Sequence, residues 1–381
     1  MVSPDYNYRV NPARTIYVVG DFNDDLLQTA IPRIAELRFE NKDPISVVIN
    51  SQGGDAICLE ALIAALSVTD PDGNESRVIT SVAGNAASAG AILLTSADYA
   101  IATVSSVIHF HGIRLSEYEI TTESAAQIAN NLSRKNTSIA DEMARAMMPR
   151  IVHRFLRLKS EIDAFKKRRR SPRLAPVLAF AELAKERTSG TAEKIFVKTV
   201  NRLIRVRHIS STISKIKFNR TETNLQKDAK LLKHIIDYEL KDKASPVLHL
   251  NEGGIGQVMS DYMMIRDFTS GHHMYFLDEL IALWGPDFLT EKDLISYNKQ
   301  KSTSEKKAYA FLRDRAFFSV QDFWYLTVSI ARALLRGENR LSSIDAYWLG
   351  AIDEITGDPD SYGIRAMMEK ELKKPSSSPA S

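Results

Sequence analysis

From Arg14 to His111 the chain alternates short apolar runs with longer stretches in which apolar residues recur every three or four positions. "TIYVVGD", "ISVVIN", "RVITSVAG" and "YAIATVSSVIHFH" are runs rich in β-branched residues, and they predict four buried strands. Between them, "DDLLQTAIPRIAELRFE" places Leu26, Leu27, Ala30, Ile31, Ile34 and Leu37 on one helical face, behind acidic residues that suit a helix N-terminus. "AICLEALIAALSV" predicts a second helix, and the small-residue run "AASAGAILLTSA" a third. Strands alternating with helices of this length predict βαβ units and a mainly parallel sheet.

The pattern then changes. "TTESAAQIANNLSRKNTSIADEMARAMM" repeats apolar residues at Ile128, Leu132, Ile139, Met143 and Met147, as a long amphipathic helix does. Residues 150–319 read as helical, with breaks at "SPRLAP", "RTSGT", "KASPVLHLNEGGIG" and "DFTSGHH". "VQDFWYLTVSIARALL" is a further helix, and "NRLSSIDAYWLGAIDEI" predicts a helix, a tight turn at Gly350 and a short strand. The expected organisation is an α/β core over 1–149, a helical insertion over 150–319, a return to the core over 320–365 and a disordered tail over 366–381.

Composition adds limits. A hydrophobic fraction of 44% suits a protein with a sizeable core, and the single cysteine, Cys58, excludes an internal disulfide or a cysteine-based zinc site. No secretory h-region or membrane span is expected, so a soluble, cytoplasmic protein is. Net charge is only +3, yet positive residues concentrate in 154–173 and 198–220. "KKRRR" at 166–170 could meet phosphates, but few aromatics accompany it, so a solvated or protein-docking helix face is favoured over nucleic-acid binding. "NEGGIG" lacks the Lys and Ser/Thr of a phosphate loop, and the adjacent His272 and His273 do not share a helix face for a metal. No cofactor is expected.

Three segments carry candidate chemistry. "INSQGGD" puts two glycines after a buried strand, where backbone amides can approach a substrate without interference from a Cβ. "GNAASAG" offers a lone hydroxyl, Ser88, at a strand-to-helix turn whose first helical amides are free. "SSVIHFHG" ends a strand with His109 and His111 on one face. A serine, an imidazole and two backbone donors at one sheet edge suffice for acyl transfer.

These segments, in this order and spacing, resemble the proteolytic subunit of the Clp protease. "RTIYVVGDFNDDLLQTAIPRIAEL" and "LSSIDAYWLGAIDEI" are similar to that family's opening and closing elements. The resemblance implies a Clp/crotonase-like α/β fold, a repeated βαβ spiral here carrying a helical insertion. It implies a serine endopeptidase acting on polypeptides, assembled in homo-oligomeric rings and served by an ATP-driven unfoldase. By position, Ser88 resembles the nucleophile, and Gly54 and Ala89 match the oxyanion-hole amides. The base falls on His111 or His109. His111 is favoured because Ser106 stands five residues before it, as a small residue does in the family. The third catalytic position falls on Glu338, where the family has Asp, with Asn339 beside it. Asp314 echoes the local pattern but not its register. That departure leaves a degenerate scaffold or regulator as the alternative, with a crotonase-type acyl-CoA enzyme behind it.

Overall fold

The computed structural model describes residues 11–68, 76–114, 121–168, 175–213, 275–289 and 291–356. The breaks at 243–256 and 267–273, His272, His273, Arg169, Arg170 and the tail from 366 lie outside them. The chain divides into two compact units. Unit 1 comprises 1–158, 183–195 and 327–381, and unit 2 comprises 159–182 and 196–326.

Unit 1 is the α/β part. Strands β1 (Thr15–Phe22), β2 (Ile45–Gly54), β3 (Val78–Ala87), β4 (Tyr99–Thr103) and β7 (Glu354–Thr356) lie side by side in that order, all parallel. Helices α1 (Asp24–Glu40), α2 (Ala56–Leu66) and α3 (Ala89–Ser96) connect the first four. Helix α1 starts where the Asn23 side chain accepts from the Leu26 amide at 3.0 Å, and it buries Ala30, Ile34 and Leu37. Helix α2 is capped by Asp55 and buries Cys58, Leu59, Leu62 and Leu66. Ala89 to Thr95 in α3 are all buried, which is why that stretch is apolar on every side.

The fourth apolar run divides in two. After β4 the chain steps through Val104–Ser106 into β5 (Val107–Phe110), which pairs with the far end of β3. Ser106 is 2% exposed, and its hydroxyl donates to the Val82 carbonyl at 2.9 Å, fixing the step. The closing segment adds a strand the pattern did not predict. β6 (Asn339–Ser342) pairs antiparallel with β5, setting His109 opposite Arg340. A short helix (Ser343–Trp348) and Gly350, at φ 86°, then lead into β7.

Helix α4 (Thr122–Arg157) outruns its expected end at Met148. Its last turns bury Arg150 and Arg154, two of the mid-chain positive charges. Arg150 donates to the carbonyls of Thr95, Ala97 and Ala351 at 2.9, 2.6 and 2.9 Å. Its Nε also lies 2.8 Å from Asp353 as an ion pair, at an angle too oblique for a hydrogen bond. Arg154 donates to the carbonyls of Tyr347 and Ile352 and lies over the Tyr347 ring. These guanidiniums hold the closing segment to α4.

Unit 2 is helical as described. It holds α5 (Lys159–Arg168), α8 (Tyr275–Trp284) and α9 (Glu291–Lys301). Parts of α6 (Pro176–Glu186), α7 (Gly190–Ile213) and α10 (Glu305–Leu334) belong to it as well. Its buried residues include Ile162, Phe165, Phe180, Phe196, Leu280, Trp284 and Phe323. Lys166, expected on a solvated face, is 8% exposed, and burial lowers its pKa against the opposing pull of Asp163 and Asp287. Among the described residues, no helix is long and apolar enough to cross a membrane.

Candidate active site

The C-terminal ends of β2, β3 and β5 meet at one edge of the sheet, where the small-residue run leaves room for a hydroxyl. Ser51 pairs with Ala86, and Ala87 with His109. Ser88 follows at the head of α3, half-buried, with φ 54° and ψ −119°. Among the described residues it is the one non-glycine with a positive φ. Such backbone costs on the order of 1–3 kcal/mol and persists only where its surroundings impose it. Here the Ser88 amide donates to the His109 carbonyl at 2.8 Å, while the Ser88 carbonyl accepts from Ala91 and Ile92.

As N-cap of α3, Ser88 makes no side-chain hydrogen bond to the helix, so its hydroxyl is not spent on capping. The amide of Ala89, in the first helical turn, has no partner within the helix. Gly54 ends β2 at φ 143°, against the backbone of Phe22. Its neighbour Gly53, unassigned in the sequence, is the closer of the two to the hydroxyl. A Cβ on Gly53 would stand 2.5 Å from Ser88 Cβ and 3.0 Å from Ser88 Oγ. The Gly53 amide is held by Ser51 Oγ at 3.0 Å, which leaves Gly54 as the glycine whose amide the small side chains do not claim.

The two imidazoles stand with ring centroids 5.7 Å apart, edge to face. His111 Nδ1 lies 2.8 Å from the Gly112 carbonyl. A carbonyl only accepts, so a neutral His111 carries its proton on Nδ1 and offers Nε2 as the acceptor. His109 Nε2 lies 3.0 Å from Glu338 Oε2, and the other Glu338 oxygen pairs with Arg114. Burial lowers the His109 pKa, and His111, Arg114 and Arg340 lower it further. The pull of Glu338 does not reverse this, because that carboxylate is 57% exposed and shared with Arg114.

Glu338 therefore meets His109, whereas His111 faces a backbone carbonyl. Asn339 is at neither ring: its amide donates to the carbonyls of Ala333, Leu334 and Arg336 and closes the end of α10. Asp314 lies in the part of α10 that belongs to unit 2. Among the described residues, no group of three or more His, Cys, Asp or Glu could hold a metal ion. Sequence reasoning missed Gly53, Arg114 and the Gly112 carbonyl. The glycine doublet was the available signal for the first, and nothing marked the other two.

Comparison with known families matches residues 3–151 to the Clp protease family model. No curated protein matches the chain. The matched region carries β1 to β5, Ser88, both histidines and both glycines, so the resemblance drawn from the motifs stands for this part of the chain. Glu338 and the closing strands lie beyond it.

Proposed function

We propose that this protein, whose residues 3–151 match the Clp protease family model, is a serine endopeptidase. Ser88 Oγ attacks the scissile carbonyl, and His111 Nε2 takes its proton and later returns it to the leaving amine. The amides of Gly54 and Ala89 receive the negative charge that develops on the carbonyl oxygen. Glu338 acts one residue pair away, holding His109 and through it the edge of the site. The observation that carries this reading is the Ser88 turn: an uncommitted hydroxyl on strained backbone, packed against a glycine and heading a helix.

A second reading has an observation of its own. The 3.0 Å contact of Glu338 with His109 Nε2 would make those two the base and its orienting acid, and Nδ1 of His109 would then be the nitrogen that takes the Ser88 proton. Hydrolysis of an unstructured polypeptide by single variants separates the readings. Under the first, Ser88→Ala and His111→Ala each lower kcat by about 10⁶-fold, and His109→Ala costs far less. The reverse order of the two histidines would favour the second. Absence of both hydrolysis by the assembled wild-type protein and covalent labelling at its Ser88 would leave a scaffold or regulator.

Assembly into a homo-oligomeric ring, service by an ATP-driven unfoldase and a cytoplasmic setting belong to the same proposal, with 150–319 as an insertion into the core. Native mass spectrometry of the full chain tests the ring. Polypeptides are favoured over nucleic acid as partners because Arg154 and Lys166, both in the basic stretch, are buried and unavailable to phosphates.

A further inference from the structure

Among the described residues, the group that meets the His111 ring nitrogen is the Gly112 carbonyl and not a carboxylate. That carbonyl and the next amide, that of Ile113, are the two ends of one planar peptide unit. The Ile113 amide donates to Asn136 Oδ1 on α4 at 2.9 Å. On the other side the unit is pinched. A Cβ on Gly112 would stand 2.7 Å from the Leu335 carbonyl and 3.0 Å from Asn136 Nδ2. Helix α4 is itself fixed about two and three turns further on by Met143 and Met147, both fully buried. Because the peptide is planar, holding its N–H also aims its C=O.

We propose that Asn136 is a positioning residue for His111. Through the Gly112–Ile113 peptide it fixes the carbonyl that keeps the imidazole proton on Nδ1. A backbone clamp thus does what the third side chain does in a triad. Asn136 touches neither substrate nor nucleophile. This inference rests on His111 being the base, as proposed above.

The test compares Asn136→Leu, which removes the acceptor, with Asn136→Asp, which keeps it, in the full chain acting on a fluorogenic peptide. In Asn136→Leu kcat falls on the order of 100-fold through misplacement of the imidazole, while KM and the thermal midpoint stay near wild type. Asn136→Asp retains kcat within about threefold, because a carboxylate oxygen still accepts from the Ile113 amide. Unchanged kcat in Asn136→Leu, an equal loss in Asn136→Asp, or a loss carried by KM would overturn the proposal. Should Asn136→Leu fail to fold, Asn136→Ser, too short to reach Ile113, is read in the same way. Wild-type protein that does not label at Ser88 would overturn the peptidase reading and this inference together. Labelled wild type with an unimpaired Asn136→Leu overturns the inference alone.

Discussion

The amide of Ser88 donates to the carbonyl of His109 at 2.8 Å, so the turn that presents the hydroxyl is tied by backbone to the strand that carries His109 and leads into His111. Side-chain rotation cannot loosen that tie. It also accounts for the unusual Ser88 conformation, since the amide must face β5 while the chain turns into α3.

Strain at Ser88 predicts an opposition between activity and stability. Glycine adopts φ 54° without a Cβ penalty, although it loses more entropy on folding. Ser88→Gly should therefore be inactive with a thermal midpoint at or above that of wild type, whereas Ser88→Ala should gain nothing. Calorimetry of the three proteins checks this. A clear drop for Ser88→Gly would show that the turn is not strained.

Gly53 predicts a steric effect on the nucleophile. In Gly53→Ala the new methyl group meets Ser88 Cβ at 2.5 Å, and activity should fall on the order of 100-fold or more. Gly190→Ala is the control: its φ is 55°, but a Cβ there has nothing within 4 Å. That variant should lose about 1 kcal/mol of stability and no activity.

Much of this arrangement was legible in the chain, for identifiable reasons. The parallel strands and α1 to α3 follow from apolar runs and from caps such as Asn23 and Asp55, which act locally. Ser88 stood out because a polar residue interrupts a run that is otherwise buried. The split of the fourth run was hidden, since Val104–Ser106 has a strand-like composition and turns only because Ser106 bonds to Val82, 24 positions away. β6 was hidden too: "NRLS" is polar and becomes a strand only by pairing with β5. Period-two spacing placed His109 and His111 on one face but could not say which would meet Glu338. Asn136 lies mid-helix, 23 positions from Ile113, with no local signature.

The His109 environment predicts the direction of its titration. Its folded pKa is below the ordinary 6.5, so the unfolded chain binds this proton more readily. Its contribution to stability is thus complete above pH 6.5 and is lost as pH falls below that value. In histidine NMR titrations, Arg114→Ala should raise the midpoint, by removing a positive neighbour and freeing Glu338. Glu338→Gln should lower it. Shifts of the opposite signs would contradict the assigned contacts.

The paired arginines of α4 predict a stability effect remote from the chemistry. Arg150→Met leaves Asp353, 8% exposed, without the Arg150 cation, and removes the guanidinium that donates to four carbonyls. Breaking a buried pair from one side costs about 3–5 kcal/mol. Denaturant unfolding of Arg150→Met should show a loss of that order, and a change below about 1 kcal/mol would mean that the cluster holds nothing together.

Labelling by a fluorophosphonate, mapped by peptide mass, tests the central claim most directly. Assembled wild-type protein should take up one label per chain on Ser88, with none on Ser88→Ala and a much slower rate on His111→Ala. Wild-type protein that stays unlabelled across the pH range, or carries its label on another serine, would contradict it.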